Sequence, residues 1–423
     1  MAEQLMKVCD VVFRDDLYPR IDTSAVTVQK YAEDLSVLPP IEVNQIGELI
    51  DGWHRWTAHK KNEAETISAV VTKTASDSEL LELAIERNAS HGLQLSQEDK
   101  RDMARRIYAA TPEKSRDAKK KHLSKILSVS DRTVRDWLSR MDKDAKEERN
   151  RRIFALWLAC WTQQEIADEV GCVKAEVNAV CSKMADLPNM NKPDKAAAEH
   201  ATDFETPIYN IWKQQTKTSG ASHFGNSEVR WLDNLIYLYT SPFDVVIDPF
   251  AGGGSTIDLC RKRFRRYFVS DRKPIVEREK EIREHDLTSG LPKPPQWKDV
   301  KLVYLDPPYW KQAEGEYSND PTDLANMQID EFNKSLAGII NGFAKKLSDA
   351  YVSLIIQPTQ WKSPGRQFTD HVGDMLRAVK LPVEMRYSVP YESQQCNAQM
   401  VEWAKENKTC LVLTREIVVW RVV

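Results

Sequence analysis

No two of the seven cysteines (9, 160, 172, 181, 260, 396 and 410) form a Cys-x-x-Cys pair, and none joins a histidine at metal-ligand spacing. An odd, scattered set predicts reduced thiols, as in a cytosol, with no disulfide frame and no metal site. The chain also lacks any apolar run of the about 20 residues that a membrane-spanning helix needs, and no leader pattern stands at its start. A cytoplasmic protein with no membrane partner is the expectation. An excess of one charge sign is missing too: the formal net charge is −3. If a polyanion is the partner, local clusters must hold it. What is present suits a folded, multidomain protein. Over 423 residues, 41% are hydrophobic and 29% charged, which predicts two or three domains and argues against disorder.

Three regions and a connector follow from the patterning. Residues 1–94 mix short apolar stretches, Ile41-Glu42-Val43, Leu49-Ile50 and Ile67 to Val71, with a helical stretch from Asp77 to Asn88. They predict a small α/β domain. Residues 95–186 are almost purely helical. Ser96-Gln97-Glu98-Asp99 looks like a helix start with acids in its first turn. Lys119 to Leu127, the short turn Ser128-Val129-Ser130 and Asp131 to Met141 make a helix-turn-helix pattern. A second copy runs from Thr162 through the stop at Gly171 to a helix over Lys174 to Met184. Residues 187–204, with prolines and an alanine run, are expected to be a linker. Residues 205–423 alternate strands and helices. Expected strands are Val245–Ile247, Tyr267–Val269, Leu302–Leu305, Val352–Ile356, Leu411–Leu413 and Ile417–Trp420, the last two as a hairpin. Helices are expected over Ser255–Arg263 and Ile329–Leu347. The fold class is α/β, a doubly wound sheet.

Two constellations in this last region carry chemistry. Asp248-Pro249-Phe250-Ala251-Gly252-Gly253-Gly254-Ser255-Thr256 follows the apolar run Val245-Val246-Ile247. Glycines at a strand–turn–helix junction let the backbone approach a ligand, and the helix start offers its amides. The dinucleotide spacing Gly-x-Gly-x-x-Gly is absent. Asp271, about twenty residues on, stands where an acid accepts ribose hydroxyls. Farther along, Asp306-Pro307-Pro308-Tyr309 follows Leu302-Val303-Tyr304-Leu305. Two prolines fix the backbone and remove two amide donors. The Asp306 carboxylate and the Pro307 carbonyl can therefore accept hydrogens from an exocyclic amino group, favouring its tetrahedral, lone-pair-bearing form. Tyr309 offers a face to a base that has left its stack.

In this order, residues 205–423 resemble the N4/N6 amino-methyltransferases of DNA, with a class I, Rossmann-like fold. The resemblance implies S-adenosylmethionine as cofactor. It implies a pocket made by Asp248, Pro249, Phe250, Gly252, Gly254, Ser255, Thr256, Asp271 and Asp306, with Asp286 meeting the cofactor's adenine. His223-Phe224-Gly225-Asn226-Ser227 is similar to the segment that helps hold the methionine moiety in that family, so His223 and Asn226 join the expected cofactor set. The family's usual proline after the histidine is Phe224 here. Asp306, Pro307, Pro308 and Tyr309 are the expected catalytic residues. The DPPY form is more frequent among adenine-N6 enzymes than among cytosine-N4 enzymes, and adenine is the expected target.

Asp51-Gly52-Trp53-His54-Arg55-Trp56-Thr57-Ala58 is similar to the Gly-x-Arg-Arg box of ParB-like partition proteins, and Glu86-Arg87-Asn88 resembles a second box of that family. The first resemblance makes Gly52, His54 and Arg55 a candidate phosphate or nucleotide site, although His54 stands where arginine is usual. Duplex DNA is the expected partner, held by Lys119, Lys120, Lys121, Arg132, Arg135 and Lys311 through phosphate contacts. The whole reads as a phage or mobile-element type of methyltransferase in a bacterial or phage-infected cytosol. A homodimer stays open as its assembly. Two rival readings also stay open: the same fold acting on cytosine N4 or on RNA, and a ParB-like regulatory or partition protein with a non-catalytic methyltransferase fold.

Overall fold

The computed structural model describes residues 3–19, 24–90, 96–213, 228–311, 315, 318–360, 368–390 and 398–423. The chain divides into two compact units, Met1–Glu148 and Arg149–Val423. The division falls inside one helix, Asp131–Leu158, and not at the expected boundaries.

In the first unit, strands β1 (Glu3–Lys7), β2 (Ile41–Val43), β3 (Leu49–Asp51) and β4 (Thr66–Val71) form one sheet in the order β1-β4-β2-β3. Helices α1 (Ala25–Glu33) and α2 (Trp53–Lys61) accompany it. Ile41, Val43, Leu49, Trp56, Ile67 and Ala69 form the core. Helices α3 (Asp77–Ser90), α4 (Gln97–Ala109) and α5 (Arg116–Ile126) and the start of α6 (Asp131–Leu158) gather a second core of Leu81, Ile85, Met103, Ile107, Leu123, Leu127, Val134 and Leu138. Ser96 and Asp99 close a capping box at the start of α4. Between α5 and α6 the chain turns at Ser128, with φ +51°, and the Ser130 hydroxyl accepts the Thr133 N–H at 3.1 Å. α6 runs well past the expected end at Met141, because no glycine or proline interrupts residues 142–158.

In the second unit, Thr162 and Glu165 cap α7 (Gln163–Val170), and Gly171, at φ +74°, ends it. α8 (Lys174–Met184) packs Val177 and Cys181 against Ile153, Ile166 and Ala167. The stretch expected as a linker instead holds α9 (Lys192–Ala198). It is bound in place by buried arginines. Arg265 Nη1 donates to the Ala198 carbonyl at 2.6 Å, and Arg263 Nη1 meets Asp203 at 2.7 Å.

The central sheet has seven strands: β5 (Val245–Asp248), β6 (Arg266–Asp271), β7 (Arg283–Glu284), β8 (Val300–Leu305), β9 (Ala350–Ile356), β12 (Val383–Pro390) and β13 (Thr414–Val422). A short pair, β10 (Thr359–Gln360) and β11 (Phe368–Thr369), stands apart. The sheet order is β12-β13-β9-β8-β5-β6-β7. All neighbours pair in parallel except β13, which is antiparallel to β9 and β12. Alternate residues serve opposite faces. Val245, Ile247, Val303 and Val352 pack under α12 (Ile329–Ala344) through Phe332, Leu336 and Ile340. Val246, Leu302 and Ile355 pack under α10 (Val229–Tyr239) and α11 (Ser255–Lys262) through Trp231, Leu235 and Ile257. Helices α13 (His371–Ala378) and α14 (Ala398–Glu406) complete the described elements.

The expected hairpin of Leu411–Leu413 with Ile417–Trp420 does not form. Residues 411–413 are not strand, and the Gln360 side chain takes their backbone: its amide donates to the Cys410 carbonyl at 2.8 Å and its oxygen accepts the Val412 N–H at 3.1 Å. β13 pairs with strands much earlier in the chain.

Candidate active site

β5 and β8 are neighbours whose onward connections lead to opposite ends of the sheet. That reversal opens a crevice beyond their carboxyl ends. β5 delivers Asp248 into its floor, and β8 delivers Asp306 to its lip.

The Asp248 carboxylate is fully buried. One oxygen accepts the Phe250 N–H at 2.9 Å, and the other accepts the Thr256 hydroxyl at 2.6 Å. Burial pushes its pKa up to about 7, although both hydrogen bonds pull the other way. The turn above it needs two left-handed residues, Gly252 at φ +48° and Gly254 at φ +79°. A Cβ on Gly254 would stand 2.8 Å from the Arg278 side chain, so glycine is required there on two counts. Asp271, at the end of β6, accepts the Gly252 N–H at 2.9 Å and the Lys273 N–H at 3.0 Å. It thereby fixes the turn from the far side.

Asp286 caps a short turn, accepting the Thr288 N–H at 2.8 Å, and lies 3.0 Å from Arg272 Nε. The Thr288 contacts, then Arg272, hold its carboxyl below the usual carboxylate range. Arg272 Nη2 also reaches Asp320 at 2.7 Å, tying the segment after Tyr309 to the rim.

A cleft of about 1060 Å³ gathers Asp248, Pro249, Phe250, Gly252, Ser255, Thr256, Asp271, Asp286, Asp306 and Pro308 on one lining. That is ample for a nucleoside-sized ligand. Its walls are acidic. Asp248, Asp271, Glu277, Asp286, Asp306, Asp320 and Asp323 line it, with Arg272 and Lys273 as the arginine and lysine of the lining. The site suits a cationic guest better than a phosphate.

At the lip the Tyr309 hydroxyl donates to Asp306 at 3.0 Å. The Arg415 guanidinium lies 4.9 Å from the Tyr309 ring centre. Trp310 anchors the following chain, donating from Nε1 to the Met327 carbonyl at 2.8 Å. Its own carbonyl accepts the Thr359 hydroxyl at 3.2 Å, which in turn sits 2.9 Å from His371 Nε2. Burial drives the His371 pKa down to about 4, leaving the ring neutral. Sequence reasoning missed Arg272, Asp320, His371 and Arg415. Each acts through a partner distant in the chain, and no local pattern marks it.

Residues 69–278 match the N6_N4_Mtase family, described as DNA methylase. The match covers the glycine turn and Asp271 but stops short of Asp286 and of Asp306–Tyr309. It also begins well ahead of residue 205, where the sequence placed the methyltransferase domain, so the two share residues 205–278. Among solved structures the chain is similar to a Pnob8-like ParB-N domain, at 12% identity, covering 47% of this chain and 88% of that one with a TM-score of 0.27. It is also similar to the C-terminally truncated chromosome-partitioning protein ParB from Caulobacter crescentus complexed to the centromeric parS site, at 18% identity, covering 43% and 99%, with a TM-score of 0.24. No curated protein matches it.

Elsewhere in the chain the expected site residues fare differently. His223 and Asn226 lie outside the described residues. Lys120 is buried, with Nζ 2.7 Å from Asp142, which takes it out of the set that can reach a phosphate. Lys119 pairs with Glu82 at 2.6 Å. Lys121, Arg132 and Arg135 are exposed. Lys311 carries a left-handed backbone, φ +57°, and its N–H donates to Ala325 at 3.1 Å. Gly52, at φ +106°, precedes α2. Arg55 is engaged internally, by Asp51 at 2.6 Å and the Pro40 carbonyl at 2.9 Å. His54 Nε2 accepts the Ser24 N–H at 3.1 Å. The expected box is thus knitted into its own domain. Among the described residues, no helix is long and apolar enough to cross a membrane.

Proposed function

We propose that this chain transfers a methyl group from S-adenosylmethionine to adenine N6 in duplex DNA. The observation that carries the reading is the Asp306 carboxylate at the lip of an acid-lined cleft, beside the glycine turn. The residues fit the cofactor: a sulfonium with an ammonium group suits walls rich in carboxylates, whereas a dinucleotide's phosphates do not. When bound, S-adenosylmethionine supplies an electrophilic methyl group.

Asp248, Pro249, Phe250, Gly252, Gly254, Ser255 and Thr256 shape the turn that receives it. Asp271 is placed for ribose hydroxyls and Asp286 for an adenine amino group. His223 and Asn226 are assigned to the methionine end by family resemblance. Asp306 and the Pro307 carbonyl orient the target amino group, Pro308 stiffens the elbow, and Tyr309 stacks on the everted base. Lys121, Arg132 and Arg135 hold the duplex backbone from a helix-turn-helix, and a ParB-like region precedes it. The protein acts in the cytoplasm.

Tritiated S-adenosylmethionine with unmethylated duplex DNA tests the reading. The expected results are label in DNA, N6-methyldeoxyadenosine after nucleoside digestion, and loss of both in Asp306→Ala. N4-methyldeoxycytidine would overturn the base assignment. Unchanged incorporation in Asp306→Ala would remove the mechanism, and no incorporation by a cofactor-binding wild type would remove the activity.

A further inference from the structure

Phosphate contacts position a duplex but carry no sequence information; bases are read from a groove. The second unit holds an element shaped for that. α7 and α8 follow one another across three residues, Gly171, Cys172 and Val173, with Gly171 in the left-handed region. Ile153, Ile166, Ala167, Val177 and Cys181 form the core that holds the pair to the end of α6. That core fixes which side of α8 is buried. The other side carries Lys174, Asn178 and Ser182, each four residues from the next, with Ala175 and Ala179 beside them, all exposed. Val173, just ahead of the helix, is 65% exposed. Asn178 is braced, its side-chain oxygen accepting Gln163 Nε2 at 3.3 Å. The carboxylates of the two helices are each engaged inside the protein. Glu165 accepts the Thr162 N–H at 2.7 Å, Asp168 accepts Gln164 Nε2 at 2.6 Å, Glu176 lies 2.7 Å from Arg149, and Glu169 pairs with Arg152. Lys174 and Lys183 stand exposed at the two ends of α8.

We infer that α8 reads the target sequence from the major groove of duplex DNA, an inference that rests on the function proposed above. A helix entering that groove needs a few polar groups that reach base edges and small neighbours that let it approach. Asn178 offers its amide N–H and the second lone pair of its oxygen to the N7 and N6 edge of an adenine. Gln163 already holds that amide in place, so little side-chain freedom is lost on binding. Val173 meets a thymine methyl group, and Lys174 and Lys183 meet phosphates. The reader is also fixed to the central sheet. Phe154 and Leu158 of α6 share a core with Trp231, Leu235 and Tyr267. Arg266 lies 4.7 Å from the Trp157 ring centre, and Arg283 Nη2 donates to the Ala159 carbonyl at 2.9 Å. With α8 tied to the sheet that delivers Asp306, the adenine it reads lies a set number of base pairs from the adenine that is methylated.

Selection from a randomised duplex library by the full-length protein tests this without turnover. The wild type is expected to enrich one motif. Asn178→Ala is expected to keep that motif except at one adenine, where preference falls about tenfold or more. Asn178→Asp is expected to move the preference there to cytosine, whose amino group a carboxylate accepts. Lys174→Ala is expected to weaken all sequences alike and to lower the slope of log affinity against log salt by about 0.9. Methylation of the same library, mapped by sequencing, is expected to fall at one offset from the base that Asn178 reads. A wild type that enriches no motif would overturn the reader, as would Asn178 variants whose preference is unchanged or whose loss is spread evenly over all sequences. Variable offsets would overturn the fixed attachment. A motif that Asn178→Ala relaxes, in a protein that transfers no methyl group, would overturn the function reading and leave the reader standing.

Discussion

The Thr256 hydroxyl donates to the Asp248 carboxylate across 2.6 Å beneath the glycine turn. This bond opposes the burial that raises the Asp248 pKa to about 7. In the unfolded chain an aspartate ionises near about 3.9, so folding takes up a proton between those values. Stability is therefore expected to fall as pH rises from about 4 to about 7 and to level off above. Asp248→Asn should flatten that slope. Thr256→Val should extend it to higher pH and cost about 1–3 kcal/mol. Urea midpoints at pH 5, 6, 7 and 8 check both. A wild-type midpoint that rises over this range would refute the assignment.

Arg272 bridges Asp286 and Asp320 at half-exposed positions. Ion pairs this exposed add little to stability. Arg272→Ala is expected to weaken S-adenosylmethionine binding by a few fold at low salt and less at 0.5 M salt, because the clasp is screened. Isothermal titration at two ionic strengths measures this. A salt-independent effect would point to direct binding of the ligand by Arg272 instead.

Lys120 and Lys121 are sequence neighbours with opposite surroundings. Lys120→Ala is expected to cost about 2–3 kcal/mol by leaving Asp142 without its lysine. Lys121→Ala should leave stability unchanged. Arg132→Ala with Arg135→Ala is expected to reduce the slope of log affinity against log salt by about 2, near 0.9 for each phosphate that is no longer neutralised. Melting curves and fluorescence anisotropy over a salt series distinguish the two classes.

Arg263 has no exposed side-chain surface and meets Asp233 through two nitrogens at 2.9 and 2.7 Å. Arg263→Leu should destabilise the second unit by about 3–5 kcal/mol, because it takes the arginine from a buried carboxylate and leaves it the His200 ring, 3.0 Å away. It should also loosen residues 192–203, which Arg263 ties through Asp203. Limited proteolysis near that segment is the direct readout. Protection equal to wild type would show that the segment is held by other means.

The elements that read correctly from sequence announce themselves locally. Asp248 to Thr256 and Asp306 to Tyr309 each follow a short apolar run, and glycine or proline leaves the backbone few choices. Capping boxes at Ser96 and Thr162 and the stop at Gly171 are equally local. What escaped depends on partners far along the chain. Leu411–Leu413 looked like a strand, but Gln360 holds its backbone. Val383–Pro390 carries no strong alternation and becomes a strand because β13 lies beside it. Lys120 reads as one more cation in a basic helix, but Asp142, Asp117 and the ring of Tyr108 enclose its ammonium group. The polar stretch 187–204 looked like a connector because the arginines that dock it lie some sixty residues later.

The insertion of β13 between β9 and β12 bears on synthesis. Both flanking strands are translated earlier and must wait for a partner that is made after them. A polypeptide cut short ahead of Thr414 would leave two bare hydrogen-bonding edges, on β9 and on β12. Such a fragment is expected to aggregate or be degraded.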